Sequence, residues 1–368
     1  MPSLREHIEA IGRKFRNFLS PAGYRVYREL SQKTYKFGSE DKPVVAFSFR
    51  YQEIDKVGGR YFYFLFKEFS CIGMEVAIQL NFSFIASVPH KKYKSLILKE
   101  KVLYFKTAQD LPSGSIIITD HDGFNGSRNL RKVIFLKFGE LLPQTDSEFS
   151  LPFSMHPQNL DTKPMTCQYK HKSSFNRIFF SGEASQPRYN RESLSKKYKV
   201  LTRFDALNKI KEAIADHFWN SEDLKKLDLR TERINRVPVG DWMMELASSD
   251  FFIALPGVAM PMCHNAVEAL AVGTIPILQY PQYFNPPLIH GVNCLTYNSG
   301  DELINVISSA MQMELAKRKK MSESCMLYYD KHLKLGSFSA KLIFSQKLQL
   351  TILVDSYRTP VPFPCIDE

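Results

Sequence analysis

FFIALPGVAMPMCHNAVEALAVGTIPIL, residues 251–278, is the stretch that decides the fold. Phe251 to Leu255 is a short apolar run of the kind expected for a strand buried on both faces of a parallel sheet. Pro256-Gly257 ends it with a turn. A helical pattern follows from His264 to Val272, with Gly273 just past its end, where a left-handed residue closes a helix. Ile275 to Leu278 is a second buried strand, so the whole reads strand, loop, helix, strand: a βαβ unit. Ala266, Val267, Leu270 and Ala271 make the apolar face of the helix, while His264, Asn265 and Glu268 share the other face near its start. In a βαβ unit that start lies at the C-terminal edge of the sheet, where amide N–H groups and the positive end of the helix dipole favour an anion. A carboxylate one turn further in suits ribose hydroxyls better than phosphate. Together these groups point to a nucleoside diphosphate. The plainer alternative is that Glu268 is a solvated surface acid.

The chain has 368 residues, enough for two domains with full cores. Hydrophobic content of 44% and charged content of 24% are those of an ordinary globular protein. A net charge of +11 fits an anionic ligand or surface. The Lys and Arg residues are scattered and no nucleic-acid motif stands out, so a nucleic-acid partner is not expected. Six widely spaced cysteines form neither a zinc pattern nor a disulfide framework, and reduced thiols are expected. No apolar run approaches the length of a membrane span, and Arg5, Glu6 and Glu9 interrupt any secretory signal. A cytoplasmic protein is expected.

Residues 1–40 form a basic leader. Leu4, Ile8, Ile11, Phe15, Phe18 and Leu19 recur at helical spacing, and the helix is expected to end before Pro21. It is either an attachment to an anionic membrane surface or a helix packed on the body of the protein. Residues 41–150 read as a first α/β domain. Strands are expected at Pro43–Phe49, Met74–Leu80, Ser115–Thr119 and Lys132–Phe138, with a helix over Tyr61–Phe69. Gly58-Gly59-Arg60 falls in the polar loop before that helix, where paired glycines permit close backbone approach to a ligand. Ser115 to Thr119 runs into Asp120-His121-Asp122-Gly123. Asp120, Asp122 and His121 are candidates for a general base acting on a hydroxyl. D-x-D also resembles the metal-binding motif of GT-A glycosyltransferases, and D-x-D-G is equally a common turn.

A proline-rich linker is placed at 151–164, a second α/β domain at 165–335 and a C-terminal helix and tail at 336–368. In the second domain, Arg177–Phe180 is a strand running into Ser181-Gly182-Glu183-Ala184-Ser185-Gln186-Pro187-Arg188. Helices are expected over Phe204–Phe218, Val239–Ala247 and Asp301–Met313. Tyr328–Leu350 is read as mostly helical.

PG…P…NAVEALAVGTIPIL followed by PPL…HGVNCLTY resembles the C-terminal half of GT-B glycosyltransferases, with exostosin-like and fucosyltransferase-like groups nearest; the match covers Arg236 to Tyr297. The resemblance implies two Rossmann-like domains facing a cleft, with a C-terminal helix crossing back to the first domain. It implies Glu268 on the donor ribose, with Gly257, His264 and Asn265 close to the diphosphate or sugar. Ser181 and Gly182 would approach the donor. Arg188 would pair with its phosphates, with Arg191 as the competing choice, and Gly58 and Gly59 would face the donor across the cleft. Retaining members commonly carry a second glutamate eight residues before the first, and here that position is Met260.

The expected function is metal-independent transfer of a sugar from a nucleotide-sugar donor to a hydroxyl of a glycan or lipid-linked glycan, in bacterial polysaccharide or lipopolysaccharide assembly. The nucleotide-sugar is a co-substrate, and neither a cofactor nor a metal is expected. A D-x-D metal-dependent transferase and a non-catalytic nucleotide-sugar-binding protein are the alternatives. The absence of G-x-G-x-x-G at a strand–helix junction disfavours a dinucleotide oxidoreductase.

Overall fold

The computed structural model describes residues 20–38, 41–50, 53–121, 124, 129–139, 143–160, 176–185, 192–258 and 260–354. The chain divides into two compact units, Met1–Leu151 with Phe338–Glu368, and Pro152–Ser337.

Unit 1 carries strands β1 (Val45–Ser48), β2 (Val76–Gln79), β3 (Leu103–Phe105), β4 (Ile116–Thr119), β5 (Lys132–Phe138), β6 (Glu148–Ser150) and β12 (Gln349–Val354). They form one parallel sheet in the order β3-β2-β1-β4-β5-β12-β6. Central strands β1 and β4 are buried along their whole length, while the edge strand β6 is only half-buried. That gradient explains why the central strands read as unbroken apolar runs: helices cover both faces of a parallel sheet. Helix α1 (Pro21–Gln32) precedes the sheet and helix α2 (Lys56–Ser70) follows β1. The aromatic stripe of α2 packs on β1, with ring centroids of Phe47 and Phe62 5.7 Å apart and those of Phe62 and Phe84 5.1 Å apart. Burying each such ring contributes about 1.5–3 kcal/mol.

Unit 2 carries β7 (Ile178–Ser181), β8 (Leu227–Arg230), β9 (Phe251–Ile253), β10 (Ile275–Leu278) and β11 (Leu295–Thr296), again parallel, in the order β11-β10-β9-β7-β8. Its helices include α3 (Arg203–Ala215), α4 (Trp242–Ala247), α5 (His264–Val272), α6 (Gly300–Met311) and α7 (Leu315–His332). The last of these packs against α5. The α5 helix has the bounds read from sequence, and Gly273 closes it at φ 67°.

Helix α1 begins at Pro21: Ser20 is its N-cap, and Ser20 Oγ accepts from Gly23 N at 3.3 Å. The leader helix expected to end before Pro21 falls in residues 1–19, outside the described residues. Two sequence expectations are corrected. Gly58 and Gly59 sit in the first turn of α2, not in a loop before it, at φ 70° and 82°. The tail is not one helix. After α7, Gly336 takes φ 91°, helix α8 (Ser337–Phe344) follows, and the chain re-enters the unit 1 sheet as β12 between β5 and β6. Lys132 fastens this return, its Nζ donating to the carbonyls of Leu342, Ile343 and Ser345 at 2.6–3.2 Å. Ser339 adds an N–H bond to Glu68 Oε2 at 2.9 Å. No helix among the described residues is long and apolar enough to cross a membrane.

Candidate functional site

In unit 2 the chain winds from β7 outward to β8, then returns to β9 and continues to β10 and β11 on the other side. The β7–β9 pair is therefore a topological switch point. At such a point the loops leaving the two strands run in opposite directions, the place where open α/β sheets form a ligand crevice. The β7 loop holds Ser181 and Gly182; the β9 loop runs from Ala254 through Gly257 to the start of α5.

Arg203 joins the two loops. It is the first residue of α3, whose N-cap Thr202 accepts from Asp205 N at 3.1 Å. Its guanidinium is buried and donates to Pro256 O at 3.2 Å and Leu255 O at 3.5 Å on one side, and to Glu183 O at 3.3 Å on the other. Nη2 also lies 3.9 Å from Cys263 Sγ. Cys263 is the N-cap of α5 and makes no side-chain bond to the first turn of that helix. A positive charge and uncapped helix N–H groups thus meet at one end of the crevice. Tyr280 closes the cluster from behind, with its hydroxyl buried and without a hydrogen-bond partner. Burial first, then Cys263 and Tyr297, push its pKa well above the usual phenol value, and Arg203 pulls the other way.

Of the two glycines here, Gly257 is needed for space and Gly182 is closely packed. A Cβ on Gly257 would lie 2.8 Å from Met260 O and 3.1 Å from Met262 O. One on Gly182 would lie 3.3 Å from the Phe180 ring and 3.4 Å from Arg203 Nη1. Gly257→Ala forces the loop before α5 to open. It should cost about 1–3 kcal/mol, the usual range for overpacking, measurable as a lower urea midpoint.

Glu268 is placed differently from its expected open position. Its carboxylate is fully buried. Oε1 accepts from His156 N–H and from Asn159 Nδ2, both at 2.9 Å, and Oε2 accepts from Trp242 Nε1 at 2.7 Å. Both oxygens are committed to protein donors, so a ribose contact requires one donor to leave. The helix face that carries His264, Asn265 and Glu268 is covered by the segment around His156, more than a hundred residues upstream. The His156 and His264 rings are 5.2 Å apart, centroid to centroid. Asn265 lies beside them, its Oδ1 buried and without a hydrogen-bond partner.

Unit 1 has its own switch point, between β1 and β4. Asp120 and His121 leave β4 there and Arg50 follows β1. Arg50 N donates to Asp120 Oδ1 at 2.8 Å, and Arg50 Nη1 lies 2.6 Å from His121 Nε2. A guanidinium only donates, so Nε2 is the acceptor of this contact and the tautomer that fits it carries its proton on Nδ1. His121 therefore presents no free basic nitrogen, and Asp120, almost fully buried, remains the carboxylate at this edge. Gly58 and Gly59 lie against the segment Lys92–Lys94. A Cβ on Gly59 would come within 2.5 Å of Lys94 Cβ. Arg60, third of that group, is buried in α2.

Asp122, Arg188 and Arg191 fall outside the described residues. Among the described residues no group of three or more His, Cys, Asp or Glu side chains could hold a metal ion. The residue missed in the sequence was Arg203. Its signal was present, because Thr202-Arg203-Phe204-Asp205 has the pattern of a capped helix start. That puts Arg203 at the sheet's C-terminal edge.

No family model matches the chain, and no curated protein matches it significantly. Among solved structures, a glycosyltransferase from Rickettsia africae ESF-5 aligns over 83% of this chain and 97% of its own, at 10% identity and TM-score 0.45. Anabaena HepE in complex with UDP aligns over 82% and 99%, at 10% identity and TM-score 0.41. A Thermobaculum terrenum O-GlcNAc transferase variant aligns over 89% and 74%, at 11% identity and TM-score 0.39. Similarity at this level assigns neither family nor activity.

Proposed function

We propose that the chain is a GT-B-type glycosyltransferase whose unit 2 binds a nucleotide-sugar. The observation that carries this reading is the β7–β9 switch point. There a buried arginine and an uncapped helix start meet beside Gly257, which has no room for a side chain, and the closely packed Gly182. The residues that resemble the exostosin-like and fucosyltransferase-like groups, Pro256-Gly257 and Asn265 to Leu278, run from that crevice into the strand behind it. In this reading Arg203 adds a phosphate-side contact beside Arg188, which the resemblance implies and which lies outside the described residues.

In the transfer step the bond from the sugar anomeric carbon to the diphosphate oxygen breaks, and a bond from that carbon to an acceptor oxygen forms. The hydroxyl proton passes to a carboxylate, Asp120 or Asp122, and the nucleoside diphosphate leaves. Positive charge at the diphosphate stabilises the leaving group as its charge develops. The acceptor class in this reading is a bacterial cell-surface glycan or its lipid-linked precursor.

The test is a panel of UDP, GDP, CMP and TDP in thermal-shift assays, with and without EDTA. A ligand of the folded state raises the melting temperature by mass action. Stabilisation by one nucleotide, undiminished by EDTA, is expected. Arg203→Met should weaken that nucleotide about 10- to 100-fold, the scale of one or two charge-assisted hydrogen bonds. No response to any nucleotide, or an Arg203→Met response equal to wild type, removes the donor-site assignment. A non-catalytic binder would show the same shifts without turnover of any nucleotide-sugar.

A further inference from the structure

The loops after β1, β2 and β4 all emerge at one edge of the unit 1 sheet, because its strands are parallel. That edge is basic. Arg50 is exposed, and so is Lys92, whose stem lies against Gly58. Lys91 is half-buried and near enough to Lys94 to act on it electrostatically. No ion pair to Arg50, Lys91 or Lys92 occurs among the described residues. The Lys94 charge is already met by Asp55, which among the described side chains leaves Asp120 as the acid near Arg50, Lys91 and Lys92. A second observation is independent of the charge: His121 Nδ1, the protonated nitrogen, is buried without any hydrogen-bond partner. Among the described residues the edge therefore offers a guanidinium, two ammonium groups and an orphan N–H against the carboxylate of Asp120, so its positive charge is in excess.

We infer that this edge binds an anionic group, a phosphate or a carboxylate, carried by the acceptor. The proposal rests on the transferase reading for the word acceptor, but the binding itself does not depend on it. Arg50 supplies the forked contact. Lys91 and Lys92 add attraction that salt screens. An acid on the acceptor would thus be recognised at a point separate from the hydroxyl that reacts.

The experiment titrates the full chain, saturated with the nucleotide that binds best, by calorimetry against three probes. These are mannose 6-phosphate, an oligogalacturonate and a neutral cello-oligosaccharide. If no nucleotide binds, the same titrations are run on the free chain, so the edge is tested even when the donor reading fails. The phosphate and carboxylate arms tell which source of charge is used. At least one anionic probe should bind better than the neutral one, with affinity falling as salt rises. The Arg50→Gln/Lys91→Gln/Lys92→Gln variant should lose about tenfold or more of that affinity while its nucleotide shift stays at wild type. Preference for the neutral glycan, equal binding by the variant, or no binding of either anionic probe overturns the inference.

Discussion

Replacing Lys94 by methionine should cost unit 1 about 3–5 kcal/mol of folding free energy, the range for breaking a buried ion pair from one side. Lys94 is fully buried, and its Nζ donates to Asp55 Oδ2, Ser87 Oγ and Phe84 O, each at 2.8 Å. It also lies 3.1 Å above the Phe84 ring. The side chain thereby ties together the starts of α2 and of the turns after β2, which flank Gly58 and Gly59. Removing it strands the buried Asp55 carboxylate. The double variant Lys94→Met/Asp55→Leu should recover most of the loss, since an apolar pair of similar volume replaces a buried ion pair at little cost. The readout is urea unfolding followed by hydrogen exchange of the β1 and β4 amides, because a chain of two units is not two-state. A single variant within 1 kcal/mol of wild type, on the same order as a surface change, would show that the pair does not hold this edge.

The same residue sets a pH signature. Burial is the dominant cause that lowers the Lys94 pKa to about 8, against the partial opposition of Asp55. An unfolded lysine titrates near 10.4. Between about pH 8 and pH 10.4 the unfolded chain holds more protons at this site than the folded one. Its contribution to stability therefore rises with pH across that window. Buried tyrosines with raised pKa values act in the opposite sense at higher pH, but they are common to wild type and variant. The difference between wild type and Lys94→Met should widen from pH 8 to pH 10 and stay flat from pH 6 to pH 7.5.

Glu268→Ala is expected to destabilise unit 2 by about 3–5 kcal/mol, since each buried donor left without an acceptor costs about 1–3 kcal/mol and the segment relaxes in part. Three donors lose their partner: His156 N–H, Asn159 Nδ2 and Trp242 Nε1. Trp242 is one of only two tryptophans in the chain. The other, Trp219, is held by Ser308. A red-shifted emission in the variant would report release of Trp242. Glu268→Gln keeps the shape but turns one oxygen into a donor facing another donor, so a smaller loss is expected. If Glu268 instead serves as an open ribose ligand, Glu268→Ala leaves stability and fluorescence unchanged and weakens only the nucleotide. The two outcomes separate a buried anchor from a binding group.

Much of the scaffold was legible in the sequence for a definite reason. Strands buried on both faces of a parallel sheet must be apolar throughout, so β4, β9 and β10 announced themselves as Ile116–Thr119, Phe251–Ile253 and Ile275–Leu278. The left-handed closure of α5 needs a residue that tolerates φ 67°, and Gly273 marked it. The edge strand β6 was not visible, because its half-exposed residues carry no unbroken apolar run. The C-terminal strand β12 was not read as a strand: its first two residues fell at the end of the helical reading and the rest in the tail, since six residues of mixed polarity carry little pattern until β5 and β6 are known to flank them.

The sequence by itself determined the α/β class, the βαβ unit at 251–278 and the place of Asp120 and His121 at a strand end. Local periodicity and turn chemistry act within a few residues of one another, and a single chain displays them. The tertiary structure alone decided which polar groups are open. Glu268 is covered by His156, Asn159 and Trp242, Arg203 spans two loops more than fifty residues apart in the chain, and Arg50 occupies the His121 nitrogen. Such pairings depend on strand order, which places distant loops at one sheet edge.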